Sequence, residues 1–165
     1  MKLLFLCTHN ACRSILAEAI TRQLARKLRA EKVQVTSAGS HPAGFVNPLT
    51  LHYLHQKGYS TDDLTSKSWN DISEYAPDIV ITVCDQAAGE SCPIWLGNAV
   101  KGHWGLPDPG RNAQIGPTTD AAFTEIIELL ENSISSLLTE DINSLTAEEL
   151  SDLLKKLAPK SNIRK

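Results

Sequence analysis

At 165 residues, with 42% hydrophobic and 21% charged side chains, the chain has the size and composition of one soluble domain and no room for a second of ordinary size. A formal charge of -3 gives no electrostatic case for nucleic acid, so any anion must be held by a local site. No stretch approaches membrane-spanning length, and the N-terminal apolar run stops at Cys7, too short for a signal-peptide core, so the expected setting is the cytoplasm and no membrane partner is expected.

The first predicted element is a strand over residues 3–6, an unbroken apolar run of the kind buried on both faces of a parallel sheet. It leads directly into Cys7-Thr8-His9-Asn10-Ala11-Cys12-Arg13-Ser14. Residues 14–29 then place Leu16, Ile20, Leu24 and Leu28 at four-residue spacing, which predicts a helix with one stripe packed on the sheet. A weaker strand over residues 33–36 completes a βαβ unit. Asn47 is placed to cap a second helix with Pro48 in its first turn, and Gly58 to end it in a left-handed conformation. Residues 78–83 are a second buried-strand run, followed by a weaker strand over residues 99–104. An amphipathic helix over residues 119–138 presents Phe123, Ile126, Ile127, Leu130, Ile134 and Leu137. Beyond a main domain over residues 1–140, residues 141–165 form an extension. There Thr146 and Glu149 make a capping box ahead of the stripe Leu150, Leu153, Leu154 and Leu157, and a basic tail follows.

This alternation predicts an α/β fold, a doubly wound open parallel sheet with helices on both faces and a ligand site beyond the carboxyl ends of its strands. Cys7 ends the first strand and Cys84 follows Val83, so both thiols are expected on one rim. A strand that turns through seven residues into a helix can curl its backbone N–H groups inward, and the helix N-terminus adds positive dipole. Such a loop is an anion cradle, formed here by Thr8, His9, Asn10, Ala11, Cys12, Arg13 and Ser14. Arg13 would clasp two oxygens of the anion, with Cys7 beneath its central atom. The dipole, the guanidinium and the Ser14 hydroxyl all favour a thiolate, so the Cys7 pKa is expected to fall from about 8.5 to roughly 4–7. A lone cysteine at a strand end is commonly just a small buried residue. The strand, the arginine, the serine and the helix in their required order select catalysis instead.

Four cysteines, at 7, 12, 84 and 92, are too sparse for a secreted disulfide scaffold and point to metal or redox chemistry. A zinc site made from them lacks paired CxxC spacing and leaves Arg13 beside the ligands without a purpose, so no metal is expected. Cys84 and Cys92 bracket the polar, Gly-containing stretch Asp85-Gln86-Ala87-Ala88-Gly89-Glu90-Ser91, which can be mobile. Either cysteine taken alone could be a buried or incidental residue. Asp108, in Gly105-Leu106-Pro107-Asp108-Pro109-Gly110, is a turn-forming residue or an acid on a loop able to reach over the cradle.

Cys7-x5-Arg13-Ser14 after the first strand resembles the phosphate-binding loop of low-molecular-weight protein tyrosine phosphatases and of the arsenate reductases built on the same fold. The likeness extends over about residues 2–138, through Ser37-Ala38-Gly39 after the second strand and Asp108-Pro109 in the late loop. The stretch from Val83 to Pro93 is similar to the redox segment of the arsenate reductases, and His103-Trp104-Gly105 to the residues before their acid. His9 stands where the phosphatases usually carry Gly, and Pro109 is followed by Gly110-Arg111 rather than by tyrosines.

The resemblance implies a redox-active disulfide relay of the kind used in arsenic resistance. Cys7 attacks arsenate, Asp108 protonates the departing oxygen, Cys84 attacks Cys7 and expels arsenite, and Cys92 takes over the disulfide from Cys7. It implies no bound cofactor, an external reductant that is either thioredoxin or a glutathione and glutaredoxin system, and phosphate or sulfate as competing oxyanions. A phosphatase acting on phosphotyrosine or small phosphoesters is the alternative, and a non-enzymatic oxyanion or redox sensor a third. Some members of the family hold a monovalent cation near the equivalents of Asn10, Glu18 and Ser37. Here Lys67 follows Thr65-Ser66, and its ammonium can take the cation's place.

Overall fold

The structure is a computed structural model that describes residues 1–30, 32–89, 96–110 and 114–160. Cys92, Arg111 and the basic residues of the tail from 161 onward lie outside the described residues. Strands β1 (Lys2–Leu6), β2 (Gln34–Ala38), β3 (Ile79–Thr82) and β4 (Val100–His103) form a parallel sheet in the order β2-β1-β3-β4. Helices α1 (Arg13–Lys27), α2 (Pro48–Gln56), α3 (Asp85–Ala88), α4 (Pro117–Leu138) and α5 (Ala147–Leu157) connect and cover it. After β1 the chain first adds β2 on one side and then crosses to β3 on the other, so the topological switch point lies between β1 and β3. Leu6 stands opposite Ala38 and opposite Thr82, which brings the carboxyl ends of three strands level at that crevice.

The two apolar runs read as central strands because they are central: Leu3, Leu4, Phe5, Leu6, Ile79, Val80 and Ile81 are all buried. Phe5, Ile79 and Ile81 face the larger core under α1, α2, α4 and α5, with Trp104, Tyr53 and Phe123 filling it. Leu4, Leu6 and Val80 face the opposite way, where a 3-10 turn (Trp69–Ile72), Tyr75 and Leu96 close a smaller core. Along α4, Phe123, Ile126, Ile127, Leu130, Ile134 and Leu137 are buried as their spacing predicts, each contributing about 1.5–3 kcal/mol of transfer free energy.

Local punctuation matches the sequence closely. The Asn47 side chain accepts from Leu49 N at 2.9 Å ahead of Pro48, and Gly58 has φ +84°. Thr146 and Glu149 form the reciprocal capping box of α5.

Three expectations are corrected. Leu28 is 41% exposed and lies past the end of α1, and Leu24 is only half-buried. Each step of four residues advances about 40° around a 3.6-residue helix, so a stripe at strict four-residue spacing winds off the buried face, which here belongs to Ile15, Leu16, Ala19 and Ile20. Strand β2 runs on through Ser37 and Ala38, because those residues pair with Phe5 and Leu6; only Gly39 follows the strand. The segment after Cys84 is a short helix over its first four residues rather than an open loop.

Candidate active site

The rim loop descends from β1 through Cys7 and re-enters regular structure at Arg13. Its backbone carbonyls are held from outside: Thr8 O accepts from His41 N, His9 O from Ala43 N and from the Ser66 hydroxyl, and Ala11 O from Asn47 N and the Thr50 hydroxyl, all at 2.9–3.1 Å. With its carbonyls engaged outward, the loop leaves N–H groups for the inside, where that of His9 favours a thiolate on Cys7. The first turn of α1 carries no acidic residue and no side-chain cap, so its N-terminal dipole is uncompensated there.

Asn10 organises the loop from beneath. It sits at φ +45°, a left-handed conformation that asparagine tolerates better than most residues, and its amide donates to Ser14 Oγ at 2.8 Å and Ser37 Oγ at 2.9 Å. Its side-chain oxygen accepts from Lys67 N at 2.9 Å. Ser37 donates in turn to Glu18 at 2.6 Å. Glu18 is 1% exposed and is held by Arg22 at 2.5 Å and by the Lys67 ammonium at 3.7 Å, so the buried carboxylate has two cationic partners. The Lys67 ammonium thus lies against Glu18, as the sequence suggested. Gly39 is required by the close passage of β2 under the loop: a Cβ there would stand 2.5 Å from Thr8 O and 2.7 Å from Cys7 O.

Cys7 and Cys84 are both buried where the paired strands β1 and β3 end, and each acts on the other's ionisation. Cys84 also receives the Ala87 N–H at 3.4 Å and faces Thr8 Oγ1 at 3.7 Å. The hydrogen bond from Cys7, aided by those from Ala87 and Thr8, lowers the Cys84 pKa to about 5. Donating to Cys84, together with burial, raises that of Cys7, against the lowering effect of Arg13. The two thiols titrate as a pair, each bearing on the other's ionisation: their interaction favours the charge on Cys84, while the Arg13 guanidinium favours one on Cys7. Cys12 is pushed up to about 12, chiefly by burial, with the Asp108 carboxylate also raising it and a hydrogen bond with Thr50 acting against both.

Arg13 Nη1 donates to Leu106 O at 2.8 Å, and its Nε is buried without a partner among the described residues. Asp108 is exposed on the loop that follows β4, close enough to the rim for its charge to act on Cys12, and its Oδ1 accepts from Gly110 N at 2.9 Å. The His9 ring is exposed and donates through Nδ1 to His41 O at 3.1 Å, so its backbone is what faces the loop interior. The sequence gives His103 no role beyond its place in the stretch before Asp108. Its ring instead bridges Thr82 Oγ1 at 2.8 Å and Asp85 Oδ1 at 2.9 Å, beside Cys84. Only the pairing of β3 with β4 brings them together, so no local signal existed.

A doubly wound parallel sheet with a cysteine-headed, arginine-closed loop running into a helix N-terminus at its switch point defines a class of thiol-bearing α/β proteins. Within it, this chain belongs to the low molecular weight phosphotyrosine protein phosphatase family, whose model matches residues 2–151. Arsenate reductase 1 of Staphylococcus epidermidis is 36% identical over 105 residues, 64% of this chain and 75% of that protein. Among solved structures, the thioredoxin-dependent arsenate reductase of Corynebacterium glutamicum superposes with a TM-score of 0.60 at 32% identity, over 82% of this chain and 59% of that one. An arsenate reductase in the phosphate binding state gives a TM-score of 0.61 at 28% identity, over 82% and 97%. Among the described residues no helix is long and apolar enough to cross a membrane.

Proposed function

We propose that this protein reduces arsenate to arsenite, with Cys7 as nucleophile, Cys84 and Cys92 as the sulfurs that carry the oxidation away, and thioredoxin as the external dithiol. The observation that carries the reading is that Cys7 and Cys84 are both buried where the adjacent strands β1 and β3 end, near enough for each to act on the other's ionisation. Phosphoester hydrolysis needs one sulfur and a water, whereas reducing As(V) needs an electron pair, and a second buried sulfur on the neighbouring strand end can supply it.

The oxyanion lies on the loop N–H groups and the α1 N-terminus, with Arg13 as its guanidinium clasp. Cys7 attacks arsenic; an S–As bond forms, one oxygen departs as water, and the Cys7 proton and Asp108 account for its protonation. The Cys84 thiolate then attacks Cys7 Sγ, an S–S bond replaces the S–As bond, and the bonding pair leaves on arsenic as arsenite. The lowered pKa of Cys84 suits it for this step. Cys92 attacks Cys84, releasing Cys7, and the Cys84–Cys92 disulfide is reduced by two thiols of the partner. The names of the Staphylococcus and Corynebacterium relatives support the substrate, and the latter supports thioredoxin over glutaredoxin. Phosphate and sulfate, alike in charge and shape, compete for the loop.

Single-turnover arsenite release with mass mapping of disulfides tests the relay. Cys92→Ser is expected to release one equivalent of arsenite, stop, and hold a Cys7–Cys84 disulfide, while Cys84→Ser releases none. Arsenite from Cys84→Ser at the wild-type yield overturns the relay. Aryl phosphate hydrolysis untouched by either change, with no arsenite from the wild type, establishes a phosphatase instead.

A further inference from the structure

Three consecutive residues at the end of β4 connect the C-terminal helix to the rim. Gly102 lets α5 approach, since a Cβ there would stand 3.0 Å from Leu154 Cβ and from Leu154 Cδ1. His103 reaches Thr82 and Asp85, beside Cys84. Trp104 is fully buried, and its indole N–H donates to the Leu154 carbonyl at 2.9 Å. That carbonyl is among the last four of α5, which lack partners in the regular pattern of the helix, so a buried donor and a helix-end acceptor satisfy each other.

Two residues beyond Trp104, Leu106 is gripped from both sides. Its N–H donates to Val83 O at 3.1 Å, next to Cys84, and its carbonyl receives Arg13 Nη1. Asp108 follows two residues later. The sheet does not need α5 to hold β4, because Trp104 N already donates to Thr82 O at 2.7 Å. What α5 adds is a fixed position for the indole, and hence for the segment that aims Arg13.

We propose that α5 is a positioning element of the oxyanion site, acting through Trp104: its docking holds residues 104–108 so that the Leu106 carbonyl orients the Arg13 guanidinium. This rests on the oxyanion reading of the loop but not on the reduction of arsenate. Because coupling between sites is reciprocal, an anion drawn onto Arg13 must in turn tighten the docking of α5.

The test uses the full chain with inorganic phosphate as probe. Trp104→Phe keeps a buried ring and loses the donor; it is expected to weaken phosphate binding, read by calorimetry, about fivefold or more while unfolding stays cooperative. Lys155→Ala, on the exposed side of α5, is expected to leave the affinity unchanged. In the wild type, saturating phosphate is expected to slow amide hydrogen exchange across residues 150–158. A folded Trp104→Phe protein with wild-type phosphate affinity overturns the proposal, and so does exchange in α5 that ignores bound phosphate. The exchange measurement needs no variant and decides even where Trp104→Phe does not fold. Phosphate-protected α5 in a protein that releases no arsenite sinks the reductase reading and supports this one. A working reductase whose α5 ignores phosphate does the reverse.

Discussion

Two buried thiols in contact cannot both ionise, because the second charge would form beside the first in a site with little water. Cys7 and Cys84 therefore titrate as a pair, and Cys84, with Ala87 and Thr8 also beside it, is the one whose pKa is drawn down. Cys7→Ala removes the largest of the influences on Cys84 and is expected to move its titration upward from about 5, read from thiolate ultraviolet absorbance against pH. An unchanged midpoint would assign the lowering to Ala87 and Thr8 alone. The loop that carries Cys7, Arg13 and Ser14 was legible in sequence, since its strand, short turn and helix follow one another locally. The coupling of the two thiols was not legible. It depends on Thr8, Ala87 and Cys84 meeting across β1 and β3, and nothing local to Cys7 encodes that meeting.

At the scale of elements, the loop is shaped as much by β2 beneath it as by its own residues. Gly39→Ala would drive a Cβ against two rigid carbonyls of the loop, those of Thr8 and Cys7. The expected result is a loss of about 1–3 kcal/mol in urea melts, as for overpacked sites, together with weaker phosphate binding. Wild-type stability and affinity in that variant would show that the loop has room to yield. Helix starts and stops were readable because they are written locally: Asn47 with Pro48, Gly58, and Thr146 with Glu149 each act within a turn of chain. Strand ends were less readable. Ser37 and Ala38 are strand because Phe5 and Leu6 lie beside them, and Leu28 is exposed because the drift of the helix stripe outruns four-residue spacing.

Across the whole molecule, the thiol pair links stability to pH with a definite sign. The folded pKa of Cys84 is depressed from 9.0 to about 5, so its contribution is present above its unfolded pKa and is lost as pH falls toward and through about 5. Cys7 is raised, so its contribution is present below its own unfolded value of 9.0 and is lost as pH climbs past it. Together they favour the folded state most near pH 9. The stability gap between the wild type and Cys84→Ser, measured by urea unfolding at pH 8 and at pH 5, is therefore expected to shrink at the lower pH. A gap independent of pH contradicts this assignment of charge.

The amino-acid sequence by itself determined the βαβ alternation, the rim on which Cys7 and Cys84 stand, and the Cys7-to-Ser14 loop, because apolar periodicity, caps and a short loop are properties of neighbouring residues. The tertiary structure alone decided that Cys7 and Cys84 act on each other's ionisation, that Gly39 must pass under the loop, that Glu18 is buried between Arg22 and Lys67, and that Trp104 joins α5 to the segment holding Arg13. Those arrangements depend on distances between residues far apart in the chain. Such distances are set when the sheet assembles and excludes water, which is also when a buried charge or an unpaired donor becomes costly enough to select its partner.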